Sequence, residues 1–333
     1  MSNSKPESQE FDSVYKTTLD PLTCTRRGLC PVTDIRHQAK LSESHSLYYE
    51  VHGSGPIKVV LIMGLNGTSG GWLPQVRYFG RLPQYSVLVF DNRGVGNSGS
   101  PWGPYTTSGM ANDVIVLLDF LGWTADRELH VIGISMGGMI AQELASRIPK
   151  RISSLSLAVT KAGGRSWRNI PKWKTVFSLV RLLSLSDVEV KIPVVLNMLF
   201  PPKWLAERAE DDPQGRTNAE VQASLHRSKF KITRPQPLIG ALSQMAAAFT
   251  HHVSPDRLRK ISASIPKVLI LTGDTDDMVD PSESLFLKQN MPEAEYQYWE
   301  GGGHAICAQW DKRVNTLFER VFEEGRSASN QDL

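Results

Sequence analysis

Short apolar runs alternate with helical patterns along most of this chain, and this alternation constrains the fold more than any other feature. The runs lack a polar face and end near Gly or Asp, which is typical of strands buried on both sides of a parallel sheet. They are Lys58 to Met63, Ser86 to Phe90, Leu129 to Ile134, Ile152 to Val159 and Lys267 to Leu271. Helical patterns follow at Met110 to Leu121, Gly138 to Arg147, Ser282 to Lys288 and Val314 to Phe322. The pattern predicts an α/β fold with a doubly wound, mostly parallel sheet flanked by helices.

The same pattern predicts how the chain is divided. The core is expected in two segments, residues 46–163 and 259–327, and begins with a strand at Leu47 to His52. Residues 1–45 are polar and lack periodicity, which predicts an arm that is loose or lies on the domain surface. Residues 164–258 carry helical patterns only, and an unstructured insertion of that length would be unusual in a compact domain. We therefore expect a helical cap that roofs the carboxyl edge of the sheet, where open α/β sheets bind ligands.

Composition narrows the class of partner. The chain is 41% hydrophobic and 21% charged, as is typical of a soluble globular protein. Its net charge of +3 is small and dispersed, so nucleic acid is not expected as a partner. There is no run of 18 apolar residues, and the polar stretch Met1 to Asp12 does not resemble a signal peptide. A cytoplasmic location is the resulting expectation.

The spacing of the cysteines matches neither a disulfide framework nor a metal site. Cys24, Cys30 and Cys307 are odd in number and do not form a disulfide framework, which favours a reducing compartment. Cys24 and Cys30 are followed by His37, but the spacing of a zinc site is not met. No metal or other cofactor is expected.

The strongest local signal is Gly133-Ile134-Ser135-Met136-Gly137, which lies between a predicted strand and a predicted helix. A serine on such a sharp turn presents its hydroxyl above the edge of the sheet, and the glycines permit the close backbone approach. The helix that follows directs its N–H groups toward developing negative charge. Ser135 is the candidate nucleophile.

A serine hydroxyl needs a base at neutral pH, and imidazole is the usual one. His304 stands in Gly301-Gly302-Gly303-His304, directly after the last predicted strand, Tyr296 to Trp299. The glycines would let this loop bring the ring over Ser135. His251 and His252 in the cap are the reserve candidates.

The imidazole must be held in one tautomer by a carboxylate. The loop after the strand Lys267 to Leu271 offers Asp274, Asp276 and Asp277. Spacing favours Asp276, with Asp277 and Asp274 left open. Asp280 before Pro281 fits a helix cap instead.

With Ser135, Asp276 and His304 in this order, the chain resembles the α/β-hydrolase family over residues 47–163 and 265–325. The resemblance implies the α/β-hydrolase fold and an oxyanion hole formed by the backbone N–H groups of Leu65 and Met136. Met63 occupies the place of a common His of the family, so the loop lacks one polar anchor. The segments around Leu65, Arg93 and Ser135 are also similar to methyl esterases of polyketide metabolism.

A second loop that the resemblance covers, Asp91 to Ser98, contains Asp and Arg side chains of the types used in catalysis. Within the family that the chain resembles, this loop is structural. The resemblance implies that Gly94 and Gly96 shape its turn and that Arg93 pairs locally. We assign it no chemistry.

The charge and apolar content of the expected cap indicate the kind of substrate that the site binds. Residues 165–203 carry seven basic and two acidic residues, a net charge of +5, interleaved with Trp167 and Trp173. This surface could touch anionic lipid peripherally, but apolar positions at helical spacing more often pack or line a pocket. A medium-sized, largely apolar small molecule is the expected substrate.

Three functions remain open. The leading hypothesis is a cofactor-free serine hydrolase that cleaves an ester, thioester or lactone through an acyl-enzyme. The second keeps the same three residues but transfers the acyl group to an alcohol or cleaves a C–C bond. The third is a ligand-binding module that retains the fold without turnover.

Overall fold

The computed structural model describes residue 11 and residues 13–32, 45–164 and 173–331. In this part of the chain eight strands form one sheet in the order β1-β2-β4-β3-β5-β6-β7-β8. The strands are β1 Cys24–Pro31, β2 Ser46–His52, β3 Ile57–Ile62, β4 Tyr85–Phe90, β5 Leu129–Ile134, β6 Ile152–Ala158, β7 Lys267–Gly273 and β8 Glu295–Trp299. β2 is antiparallel to β1 and β4, and the other neighbours are parallel. The mostly parallel sheet confirms the predicted α/β class.

The helices alternate with the strands as expected. They are α1 Leu73–Phe79, α2 Thr107–Leu121, α3 Met136–Ala145, α4 Trp173–Ser184, α5 Val188–Leu199, α6 Pro202–Ala206, α7 Asn218–Ile232, α8 Leu238–Thr250, α9 Pro255–Ser264, α10 Pro281–Asn290, α11 Ile306–Gln309 and α12 Asp311–Gln331. Short 3-10 turns occur at Ser69–Trp72 and Pro149–Arg151.

The buried strands lack a polar face because each faces a different hydrophobic core on either side. In β3, Val60 and Ile62 pack into one core, whereas Val59 and Leu61 pack into the other. Successive side chains of a strand point to opposite faces, so a strand covered on both faces needs apolar residues at every position. This explains the apolar runs in the sequence.

The prediction of an arm over residues 1–45 was wrong in part, because Cys24–Pro31 form an edge strand of the sheet. This strand pairs with β2 on one side only, and Arg26 is exposed and Arg27 half-buried. An edge strand of this kind shows neither an apolar run nor a clean alternation. The core therefore extends beyond residue 46 toward the N-terminus.

The predicted boundaries of the cap also need correction. Helices α5 to α7 share a small core of their own, which contains Ile192, Leu196 and Phe200. Ala247 of α8 and Leu258 of α9 pack instead into the main core. The expected boundary at residue 258 falls inside α9, because the apolar face of that helix covers the sheet.

Helix α4 presents an apolar stripe to solvent. Trp173, Phe177 and Val180 are 75%, 64% and 60% exposed. Trp167, which was expected to extend this surface, lies outside the described residues. The expected lipid contact stays a prediction. Among the described helices, none combines the length and the apolar character that crossing a bilayer requires.

The topology brings four loops to one edge of the sheet. Strands β3, β5, β7 and β8 run parallel, so the loops that follow them leave from the same side. These loops carry Leu65, Ser135, Asp276 and His304 respectively. Residues far apart in sequence therefore meet at the carboxyl edge.

Candidate active site

Ser135 lies on the sharp turn between β5 and α3. Its backbone has φ +56° and ψ −122°, a conformation that side-chain-bearing residues rarely adopt. The residue is 9% exposed and lines a cavity. The turn therefore holds the hydroxyl at the carboxyl edge of the sheet at a cost in backbone strain.

Neighbouring glycines make this turn possible. A Cβ on Gly137 would overlap the carbonyl of Ile62 in β3, and one on Gly133 would overlap the carbonyl of Gly137. Thr160 then fixes the turn from the other side, because its hydroxyl donates a 2.6 Å hydrogen bond to the carbonyl oxygen of Ser135. The two glycines of the motif are required for packing as well as for the turn.

His304 and Asp276 form a buried pair. His304 Nδ1 lies 2.8 Å from Asp276 Oδ2, and the residues are 5% and 1% exposed. Asp276 Oδ1 also accepts hydrogen bonds from the backbone N–H groups of Met278 at 2.8 Å and Val279 at 3.0 Å. An ionised carboxylate that accepts from Nδ1–H leaves the lone pair of His304 on Nε2.

The loops that carry these two residues are tied together by backbone contacts. Thr275 donates to the carbonyl oxygen of Gly302 through its N–H at 3.0 Å and its hydroxyl at 2.7 Å. Asp274 Oδ1 accepts from Gly301 N–H at 2.7 Å. A Cβ on Gly273 would overlap the carbonyl of Gly302. The run of glycines before His304 lets the two loops touch.

The residues that the sequence left open lie elsewhere. Asp274 and Asp277 are exposed, and Asp274 positions the histidine loop as described. His251 is buried, and its Nδ1 lies 2.9 Å from Thr107 Oγ1. His252 is exposed. Among these candidates in the described structure, only His304 lines the same cavity as Ser135, and Asp276 is the carboxylate that contacts it.

The expected oxyanion donors flank Ser135. Met136 is the first residue of α3, where a backbone N–H has no acceptor within the helix. Leu65 lines the same cavity as Ser135 and His304. A Cβ on Gly64 would lie 3.0 Å from Ser135 Cβ, so the loop before Leu65 passes directly beside the serine.

Polar side chains that the sequence analysis missed anchor this loop. Asn92 Nδ2 donates to the carbonyl oxygen of Met63 at 2.9 Å. Gln244 Oε1 of α8 accepts from Asn66 N–H at 2.8 Å, and Gln236 Nε2 donates to Asn66 Oδ1 at 3.0 Å. The amide contacts supply anchors for the loop in which Met63 replaces His. Only tertiary structure brings Gln236 and Gln244 there.

The loop from Asp91 to Ser98 is structural in its contacts. The buried Asp91 carboxylate accepts from the N–H groups of Ser69 at 2.7 Å and Asn97 at 2.8 Å. Arg93 forms a two-pronged ion pair with Asp113. Burial raises the pKa of the Asp91 carboxyl. The contacts agree with the local pairing that the resemblance implied for Arg93.

Ser135 and His304 open into a cavity of about 530 Å³ beneath the cap. This volume falls within the ordinary range of sites for small organic ligands. The walls are mostly apolar and come from the sheet edge, the cap and the N-terminal segment; they include Met63, Leu65, Trp72, Leu73, Leu199, Phe200, Leu225, Ile232 and Met278.

One group among the described residues has donor atoms close enough for a metal, and it lies outside this cavity. The ligand atoms of Cys24, Glu50 and His52 lie within 4.8 Å of one another. His52 Nε2 is 3.2 Å from Glu50 Oε2, and Tyr48 Oη donates to Glu50 Oε1 at 2.9 Å. Glu50 and His52 belong to β2 and Cys24 to β1, and none of the three lines the cavity of Ser135.

The family model of the alpha/beta hydrolase fold matches residues 58–309, which is more than two thirds of the chain. The chain belongs to the alpha/beta hydrolase fold family. It is thus an enzyme of this hydrolase superfamily, and the predicted fold and resemblance are confirmed.

Curated relatives of this hydrolase include two proteins named putative carbamate hydrolase RutD. The one from Azorhizobium caulinodans is 29% identical over 265 residues, which are 79% of this chain and 89% of that protein. The one from Caulobacter segnis is 29% identical over 267 residues, which are 78% and 89% of the two chains.

Solved structures support the fold of the hydrolase. A thermophilic esterase from Thermogutta terrifontis superimposes with a TM-score of 0.67 at 21% identity, covering 90% of this chain and 99% of that one. An enol-lactonase from Burkholderia xenovorans gives 0.62 at 24% identity, covering 84% and 96%. At these identities the similarity extends to the fold alone.

The strain at Ser135 predicts an unusual order of stabilities. Glycine tolerates a positive φ, so Ser135→Gly should be more stable than Ser135→Ala by about 1 kcal/mol, despite the greater entropy of glycine in the unfolded chain. Urea unfolding of the two variants measures the difference. Ser146 provides the control, since its φ is −73° and glycine should give no advantage over alanine there. Equal stability of the two Ser135 variants would contradict the strain.

Proposed function

We propose that this enzyme is a serine hydrolase that cleaves an ester, thioester or lactone of a medium-sized, largely apolar substrate through an acyl-enzyme. Ser135 is the nucleophile, His304 the general base and acid, and Asp276 the residue that orients the imidazole. The backbone N–H groups of Leu65 and Met136 form the oxyanion hole. No cofactor takes part.

One observation carries this proposal. Ser135 and His304 line the same cavity, and Nδ1 of His304 lies 2.8 Å from the buried Asp276 carboxylate. An imidazole held at Nδ1 in this way has Nε2 available to accept a proton. An apolar pocket with a few convergent polar groups is the usual form of a small-molecule active site.

The first chemical stage forms the acyl-enzyme. His304 Nε2 removes the proton of Ser135 Oγ as the oxygen attacks the substrate carbonyl. The carbonyl oxygen becomes negative and is stabilised by the two backbone N–H donors and by the positive end of α3. The imidazolium then donates its proton to the leaving alcohol or thiol, and Asp276 stabilises the cation meanwhile.

The second stage regenerates the enzyme. Water that reaches the cavity is deprotonated by His304 and attacks the acyl carbon. The tetrahedral intermediate uses the same oxyanion hole, and collapse returns the proton to Ser135 as the acid departs. In a lactone the acid and the alcohol are parts of one product.

An active-site-directed probe tests the nucleophile. A fluorophosphonate should label the wild-type enzyme at Ser135, and Ser135→Ala should abolish both labelling and turnover of 4-nitrophenyl esters, with a loss of about 10⁶-fold in kcat. Mass spectrometry of the labelled peptide identifies the site. Failure of the folded wild-type enzyme to react would count decisively against the proposal.

The assignment of the acid predicts a difference between adjacent aspartates. Asp276→Asn should lower kcat about 10⁴-fold, because the amide favours the wrong tautomer of His304. Asp277→Asn should retain activity within about twofold, since exposed substitutions usually have small effects. Ester hydrolysis and thermal unfolding of both variants separate catalysis from folding. A larger loss in Asp277→Asn would reassign the acid.

Carbamate hydrolysis is the second candidate, because the relatives are named putative carbamate hydrolases. A carbamate would use the same nucleophile and oxyanion hole, but nitrogen donation makes its carbonyl less electrophilic. We expect the enzyme to turn over 4-nitrophenyl hexanoate faster than 4-nitrophenyl N-pentylcarbamate. We also expect the acyl-enzyme formed from the ester to be hydrolysed rapidly. Higher kcat/KM for the carbamate, with full turnover, would favour the second candidate.

A further inference from the structure

The charged side chains that line the cavity are basic, with no acidic side chain among the described lining residues. They are Lys229 and Arg77. His226 also lines the cavity, but burial, and secondarily the charge of Lys229, lower its pKa to about 4. It is therefore neutral at neutral pH. Arg77 is exposed at the rim, whereas Lys229 is partly buried.

Lys229 reaches toward the wall that carries Met63. A Cβ on Gly71 would lie 3.7 Å from Lys229 Nζ, and Met63 Cε approaches the same position more closely. Gly64, the residue after Met63, would place a Cβ 3.0 Å from Ser135 Cβ. Lys229, Met63 and Ser135 thus all line the cavity, and the ammonium group lies close to the end of the Met63 side chain.

The ammonium group of Lys229 has no ion pair or hydrogen bond within the described structure, although the backbone oxygen of Lys229 accepts from Thr233 N–H. Burial lowers its pKa, and the more distant charge of Asp91 opposes this effect. The Asp91 carboxylate is already engaged by the N–H groups of Ser69 and Asn97. A partly desolvated cation without a contacting anion is costly unless a ligand supplies one.

We propose that Lys229 forms an anion subsite that binds a carboxylate of the substrate, at the end remote from the bond that Ser135 attacks. The inference rests on the proposed function, because it assumes that the substrate occupies this cavity. It changes the expected substrate from an apolar molecule to an amphiphilic one. Apolar walls would enclose the middle of the substrate, and Lys229 would pair with the charged end.

The geometry also gives Met63 a role. Its side chain lies over Gly67 and Gly71, where any side chain would collide with it. The thioether thus supplies an apolar surface next to the ammonium group within the same cavity.

Matched esters test the subsite by kinetics. Mono-4-nitrophenyl adipate carries a terminal carboxylate, whereas 4-nitrophenyl hexanoate has the same chain length without it. The ratio of kcat/KM for the anionic ester to that for the neutral ester should fall about tenfold or more in Lys229→Met, as expected for loss of a charged hydrogen bond. Because both esters use the same catalytic residues, the ratio cancels a general loss of activity.

Two further variants sharpen the comparison. Lys231→Met removes the same charge from the same helix, but Lys231 is exposed and does not line the cavity, so the ratio should not change. Lys229→Arg should retain part of the preference. If Lys229→Met keeps the wild-type ratio, the subsite is refuted and Lys229 serves only to balance Asp91.

Equilibrium binding separates failure of the subsite from failure of the proposed function. Calorimetry with 6-phenylhexanoate and its primary amide should show tighter binding of the carboxylate to the wild-type enzyme, with the preference lost in Lys229→Met and kept in Lys231→Met. This outcome would support the subsite even if neither ester is turned over. Equal affinity for carboxylate and amide in the wild-type enzyme would overturn it.

Discussion

At the turn between β5 and α3 the backbone packs directly against neighbouring backbone, without room for a side chain. The site depends on this close contact. Gly133 and Gly137 leave no side chain where the turn meets β3, so α3 can begin directly above the sheet. This contact forces Ser135 into a positive φ and directs its hydroxyl away from the core. The strain is tolerated because β3, β5 and β6 are buried on both faces and cannot shift individually.

The other loops are fixed against this turn by contacts that combine backbone and side chain. The loops of Asp276 and His304 are joined through Thr275, Gly302 and Asp274, so a displacement of one would displace the other. Asn92 and Gln244 fix the loop of Leu65 from two different elements. Preorganisation of this kind costs nothing at the moment of reaction, which is why such electrostatic stabilisation is effective.

The helices of the expected cap also contact the loops of the site and line its cavity. Ala305 N–H donates to the carbonyl oxygen of Leu199 at 2.9 Å, so the end of α5 is attached to the loop of His304. Helix α8 reaches the opposite side of the site through Gln244. Helix α7 adds Lys229, which together with Arg77 of α1 gives the mostly apolar cavity a positive charge. The proposed catalytic residues thus come from loops that follow the sheet strands, and the insertion contributes part of the cavity wall and one of its two basic side chains.

The sequence by itself determined the α/β class, seven of the sheet strands and the candidates Ser135 and His304, because these depend on local patterns. Apolar periodicity reports burial on both faces, and glycine spacing reports a close turn. Edge strand β1 escaped prediction because it is paired on one side and carries Arg26 and Arg27. Spacing favoured Asp276 but left Asp274 and Asp277 open, and only the tertiary structure shows that Asp276 is the aspartate that contacts His304. The tertiary structure also assigned α9 to the main core and brought Lys229 and Gln244 to the cavity and its loops. Those outcomes depend on contacts between residues distant in sequence, and no local pattern encodes which side chains will meet.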